Sequence, residues 1–100
     1  MKKYDCSCIG RICIDHISLL EKYPEIDTKI PLLEYKTCLG GQATTSAIVL
    51  SHLGVKTLLL SSVGDDENFV IIKKLISQHK KLKTFFVAKK QLKTPLAFIF

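Results

Sequence analysis

The sequence predicts an α/β fold: a parallel sheet with flanking helices and an added β-flap. Short apolar runs near residues 4–14, 57–61 and 84–88 alternate with two helical patterns, the order of parallel strands joined by crossovers. Residues 18–39 form a β-compatible insertion too long for a plain connection, which usually takes ~4–6 residues. Gly40-Gly41 then opens the first helix, where the absence of a Cβ lets the backbone approach a ligand and the helix start offers unpaired N–H groups.

Residues 4–9 are mostly apolar, and after Gly10-Arg11 the run Ile12-Cys13-Ile14 is expected to continue the same strand up to Asp15-His16. A parallel strand ending in Asp presents a carboxylate at the carboxyl edge of its sheet, which makes Asp15 a candidate site residue; capping a turn is its alternative role. Tyr23-Pro24 marks a turn, and residues 29–39 alternate imperfectly between apolar and charged, as one or two strands of a half-exposed flap do. Over residues 42–53, Ala43, Ala47, Ile48, Val49, Leu50 and Leu53 cover more than one helical face, so this helix is expected to be buried on most sides. Gly54 stands where a left-handed C-terminal cap belongs.

Residues 57–61 suit a central strand covered on both faces. Gly64-Asp65-Asp66 is a turn with an acidic helix start. In the helix that follows, Phe69, Ile72, Leu75, Ile76 and His79 share one face, with Lys73, Lys74, Ser77, Gln78 and Lys80 opposite. His79 ends its face as a helix-terminal or core-edge residue. Residues 84–88 form a third core strand and residues 94–100 open another. The sequence stops within that apolar strand, at Ile99-Phe100, and bare strand edges invite aggregation; residues 1–100 are expected to begin a longer protein.

At 47% hydrophobic and 24% charged residues, the composition excludes a disordered or fibrous chain. The apolar runs at 47–50 and 58–60 fall far short of the ~20 residues of a membrane span. Asp5, Gly10, Arg11 and Asp15 interrupt the opening segment, which makes a poor signal peptide. The expectation is a cytoplasmic protein with Cys6, Cys8, Cys13 and Cys38 reduced. The net charge of +6 comes from 14 lysines and Arg11, with eight of the lysines between Lys73 and Lys93. The arginines and aromatics that read nucleic acids do not accompany them, so a solvated helix face plus a basic loop is expected, with weak nucleic-acid binding as a lesser alternative.

Neither G-x-x-x-x-G-K-[ST] nor G-x-G-x-x-G is present. Cys6-Ser7-Cys8 with Cys13 and His16 lacks the paired C-x2-C spacing of structural zinc sites; Cys6 and Cys8 share one side of a strand, as small buried residues. No serine or cysteine has a base beside it in the pattern. What remains is a polyol-binding arrangement. The Asp15 carboxylate accepts from adjacent hydroxyls, Gly40-Gly41 exposes backbone N–H groups, and Gln42 and Thr45, three apart in one helical turn, add amide and hydroxyl contacts. The flap would close over the ligand and exclude water, as phosphoryl transfer requires.

The run Gly40-Gly41-Gln42-Ala43-Thr44-Thr45-Ser46-Ala47, then six residues to Gly54, then nine to Gly64, resembles the N-terminal signature of the ribokinase (PfkB) family of carbohydrate kinases. Gly10-Arg11-Ile12-Cys13-Ile14-Asp15-His16 resembles that family's first strand with its sugar-binding aspartate, Gly64-Asp65-Asp66-Glu67 the turn before the next helix, and residues 94–100 a later lid strand. The resemblance implies an incomplete ribokinase-like (Rossmann-like) fold, with residues 1–100 as the N-terminal part of one kinase domain and lid strands at about 16–39 and 94–100. It implies that Asp15 binds sugar hydroxyls, that Gly40, Gly41 and Gln42 line the sugar pocket, and that Thr45 stands where the family usually has asparagine. A threonine hydroxyl is shorter and offers one donor where an amide offers two, so the preferred substrate differs or a water fills the gap. The usual glycine after the Asp-Asp-Glu turn is absent, and Cys13 stands where ribokinases proper often have a polar residue, which argues against ribose itself.

The implied reaction transfers the γ-phosphoryl of ATP, with Mg2+, to a sugar or sugar-like alcohol. In the family the catalytic base and the ATP site lie in the C-terminal half, in a Gly-Ala-Gly-Asp-type motif that these residues do not contain, so no catalytic residue is assigned here and the isolated chain is expected to be inactive. A reading from another class is a non-enzymatic binding module whose flap strands pair with a second copy as a homodimer.

Overall fold

A computed structural model describes residues 3–100. In chain order the elements are β1 (Cys6–Ile9), β2 (Cys13–Leu19), β3 (Glu34–Gly40), α1 (Gln42–His52), β4 (Thr57–Gly64), α2 (Glu67–Ile76), β5 (Leu82–Lys89) and β6 (Leu96–Ile99). They build two three-stranded sheets. The core sheet has the order β1-β4-β5 with every pair parallel, and the second sheet has the order β3-β2-β6, in which β2 is antiparallel to β3 and parallel to β6.

The expected continuation of the first strand through Ile14 does not occur: β1 and β2 belong to different sheets, and the second sheet begins at Cys13, before the flap boundary near residue 16. The backbone shows why. The Gly10 amide donates to the Leu60 carbonyl (3.2 Å) alongside the core sheet, and the Ile14 amide already donates to the Pro95 carbonyl (3.1 Å) beside the second sheet. Gly10 and Arg11 make the crossing. A Cβ on Gly10 would lie 2.8 Å from the Ala43 Cβ, so the crossing packs directly on the first turn of α1.

The core gathers Ile12 and Ile14 at that crossing, Leu59 and Val63 from β4, Leu82 from β5, Ala47 from α1, and Ile72 and Ile76 from α2. Cys6 and Cys8 alternate with exposed Ser7 and Ile9, which places both thiols on one half-buried side of β1 as expected. The face of α2 expected to be apolar is the buried one. For α1 the expectation is corrected. Its buried stripe is Thr44, Ala47 and Ser51, while Val49 (52% exposed) and Leu53 (74%) face solvent, because among the described residues the helix is covered on the sheet side only.

Both helix ends follow local chemistry. Gly54 has φ +88°, and the Gly54 amide donates to the Ser51 carbonyl (3.2 Å) and the Val55 amide to the Leu50 carbonyl (3.1 Å), the two bonds of a Schellman ending. Asp66 caps α2 by accepting from the Phe69 amide at 3.0 Å.

Parallel sheets are ordinarily covered on both faces. Here the row Ile9, Leu60 and Phe85, in register across the three core strands, lies on the face without helices; Ile9 is 77% and Phe85 60% exposed. The consequence is measurable in the whole chain. It exposes 7594 Å² and has a radius of gyration of 15.9 Å, against ~5,700 Å² and ~13 Å for a compact monomer of this size.

Candidate functional site

The site grows from the crossing at Gly10-Arg11. The fully buried Thr44 hydroxyl donates to the Arg11 carbonyl (3.2 Å), and Ser61 donates from β4 to the Gly10 carbonyl (2.6 Å). Gly41 has φ +100°, and a Cβ there would collide with the Arg11 carbonyl group, 3.0 Å from its carbon. The second glycine of the pair is therefore required by the Arg11 backbone as well as by its own dihedral. These contacts fix the direction in which β2 leaves the core.

Asp15 lies in the middle of β2, opposite Cys38 of β3 and Ala97 of β6. It is neither at the edge of the core sheet nor in a turn, so both local readings of Asp15 give way to a place in the second sheet. Its carboxylate packs directly over Gly40: a Cβ on Gly40 would lie 2.7 Å from the Asp15 Cγ. The first glycine of the pair thus makes room for the carboxylate. The Cys13 thiol donates to Asp15 Oδ1 at 3.3 Å. Burial first, then this hydrogen bond and the Asp15 charge, push the Cys13 thiol up, which keeps it protonated as a donor.

Gly41, Gln42 and Thr45 line one open depression of about 590 Å³ with Ser46, at the start of α1. Gln42 and Thr45 are exposed and Asp15 is half-buried. The candidate residues therefore form two touching groups, Asp15 with Gly40 and Gly41 with Gln42 and Thr45, joined through the Gly40-Gly41 peptide. Gly41 gives α1 no side-chain cap, and the Thr45 amide makes the first helical bond back to the Gly41 carbonyl (2.9 Å). The amides of the first turn before it have no helical acceptor. Carboxylate, free amides, an amide side chain and a hydroxyl suit an uncharged polyhydroxylated ligand.

A larger groove of about 670 Å³ lies on the open face of the core sheet, between Ile9, Leu60, Phe85 and Val87, with Arg11 and Lys93 at its border. None of the sequence-derived site residues lines it. Among the described residues, no group of three or more His, Cys, Asp or Glu gathers as a metal site, so Cys6, Cys8, Cys13 and His16 do not converge.

Sequence reasoning missed Thr94. Its buried hydroxyl donates to Asp66 Oδ1 (2.7 Å) and accepts from the Gly64 amide (3.0 Å), while its own amide donates to Asp66 Oδ2 (2.8 Å). One carboxylate thereby caps α2 and anchors the segment that enters β6, coupling the end of β4 to the second sheet. The Thr94 hydroxyl and amide, with the Phe69 amide, hold Asp66 below the ordinary carboxylate range. Only the capping half of this role is local; the other partner lies 28 residues away.

Comparisons with known proteins place the sequence and the fold. The chain is 38% identical over 60 residues to a nucleoside kinase of Methanocaldococcus jannaschii, covering 60% of this chain and 20% of that protein. It is 35% identical over 64 residues to the ketohexokinase of Mus musculus, covering 64% and 22%. Its fold superposes on the ribokinase of Giardia lamblia with a TM-score of 0.83 at 15% identity, over 95% of this chain and 31% of that one. The matched stretch of the chain thus spans about a fifth of the length of these curated relatives. The model of the pfkB family carbohydrate kinases matches residues 3–100, and the chain belongs to that family.

Proposed function

We propose that this chain forms the acceptor-binding and lid portion of an ATP-dependent kinase that phosphorylates a hydroxyl of a sugar or sugar-like alcohol. The observation that carries the reading is the Asp15 carboxylate seated over Gly40, next to the first turn of α1 where Gly41, Gln42 and Thr45 share one depression. Asp15 accepts from one or two ligand hydroxyls, the α1 amides and Gln42 bind others, and the β3-β2-β6 sheet covers the ligand and excludes water. Cys13 leaves Oδ2 of Asp15 as the freer oxygen, since its thiol engages Oδ1.

Family membership implies ATP, and with it Mg2+. We assign that chemistry to the portion of the relatives that this chain does not cover, since the matched stretch spans only about a fifth of their length. The uncovered row Ile9, Leu60 and Phe85 supports this assignment, because the core sheet still has an apolar face to bury. The isolated chain then transfers no phosphoryl group. No helix among the described residues is long and apolar enough to cross a membrane, and a cytoplasmic setting, with four free thiols, belongs to the same reading. A homodimer through the second sheet is compatible with it, using the exposed Tyr35 and Phe98 on the face they share with His16.

The test is an NMR titration of the chain with pentoses, hexoses and nucleosides. We expect one class of ligand to shift the Gly41, Gln42 and Thr45 amides, and Asp15→Asn to abolish the shift. Ligand shifts that survive Asp15→Asn, or none at these amides with any of the three classes, would remove the assignment. ATP-dependent turnover by the chain alone would refute the division of labour.

A further inference from the structure

At the far end of α1 from the candidate site, His52 Nε2 lies 3.0 Å from His79 Nδ1, with the rings edge-on at 88°. The two come from separate, well-held positions. His52 is the last residue of α1; His79 follows α2, its amide donating to the Ile76 carbonyl (2.9 Å) and its carbonyl accepting from the Leu82 amide (3.0 Å). Both line an open cavity of about 210 Å³ with Ser51, Gln78, Lys80 and Lys81. Neither side chain has a part in sugar binding: α1 is 11 residues long, which sets His52 ~15 Å from Gln42 along the helix.

We propose that His52 and His79 form a two-imidazole chelate for a borderline divalent transition-metal ion, which clips the carboxyl ends of α1 and α2 together over the core sheet. Imidazole nitrogens bind such ions at ~2.0–2.1 Å, so two of them 3.0 Å apart subtend about 90–97° at the ion. That angle is within the range of bidentate coordination, and among divalent first-row ions imidazole pairs bind the nickel(II) and copper(II) class strongly. A rotation of roughly 40° at each ring nitrogen turns the two lone pairs from one another toward a shared point in the cavity. Water completes the coordination, and Gln78 borders the same cavity. Lys80 and Lys81 border the same cavity and oppose the cation, so the affinity is modest.

The probe is Ni2+, which spares the four thiols the oxidation that copper(II) causes. Calorimetric titration of the untagged chain is expected to show one site. His52→Asn and His79→Asn should each weaken it at least tenfold, while His16→Asn and alkylation of the cysteines leave it unchanged. Ni2+ should also raise the thermal midpoint of the parent chain and not of the two variants. Undiminished Ni2+ binding in the doubly substituted His52→Asn/His79→Asn chain, or binding lost on alkylation or with His16→Asn, would overturn the proposal. Should the substitutions impair folding, paramagnetic broadening of the His52 and His79 ring signals in the parent chain decides the matter; broadening confined to His16 or the cysteines refutes it.

Discussion

Gly41→Ala separates two costs that glycine substitutions usually mix. Gly41 and Gly54 both have positive φ, +100° and +88°, so alanine is strained at either position. Around Gly54 a new Cβ meets nothing within 4 Å, whereas at Gly41 it drives into the Arg11 carbonyl group. Strain alone is about 1 kcal/mol, and that is the expectation for Gly54→Ala. Gly41 lies at φ +100°, ψ +139°, toward backbone space that only glycine occupies readily, where the strain reaches ~1–3 kcal/mol. Displacing Arg11 also breaks the bond it accepts from buried Thr44, a further loss of about 1 kcal/mol. The expectation for Gly41→Ala is therefore about 3 kcal/mol. For a domain of this size 1 kcal/mol moves the thermal midpoint by ~4–8 °C, so Gly54→Ala lowers it by that amount and Gly41→Ala by ~12 °C or more. The assay is thermal unfolding followed by circular dichroism on the two variants in parallel. Equal midpoints for the two would refute the claim that the Arg11 backbone, rather than dihedral preference alone, selects the second glycine.

Gly40→Ala adds a methyl where the Asp15 carboxylate sits, so it should abolish the ligand response in the NMR titration as Asp15→Asn does; an unchanged response would separate Gly40 from the site. Thr94→Val leaves the buried Gly64 amide without its acceptor and removes a charge-assisted bond to Asp66, a loss of ~2–4 kcal/mol readable as a lowered urea midpoint. Because Asp66 titrates below its unfolded value, its contribution is complete above ~3.9 and is lost as the pH falls through the lower folded value. Asp66→Asn should flatten the acid limb of a stability–pH curve in that window, and an unaltered limb would show that the Thr94 bonds do not hold the carboxylate. Phe85→Ser, on the uncovered face, should change stability by less than about 0.5 kcal/mol while reducing self-association in light scattering; a large loss of stability would mean that this face is packed in the isolated chain.

Much of this protein is decided by residues close together in sequence, and that part was legible. Helix α1 follows from Gly40-Gly41 at one end and Gly54 at the other, α2 from the Asp66 cap and its apolar face, and β4 from its continuous apolar run, because caps, turns and periodicity act within a few residues. The family resemblance rests on the same local spacings. Tertiary structure alone decided which sheet each strand joins. Residues 4–14 look like one interrupted strand, and nothing local to Gly10-Arg11 tells that Leu60 ends one pairing and Pro95 begins the next. The exposed Val49 and Leu53 show the same limit: hydrophobicity gives a residue's tendency to be covered, while the cover itself depends on which other elements are present. From local sequence Asp15 reads as a strand-end carboxylate; in the fold it lies within β2, and it arrives over Gly40 because β2 and β3 pair antiparallel with Asp15 opposite Cys38. The sequence thus determined that a glycine pair opens a helix. Only long-range pairing gave each glycine its neighbour, the Asp15 carboxylate for the first and the Arg11 carbonyl for the second.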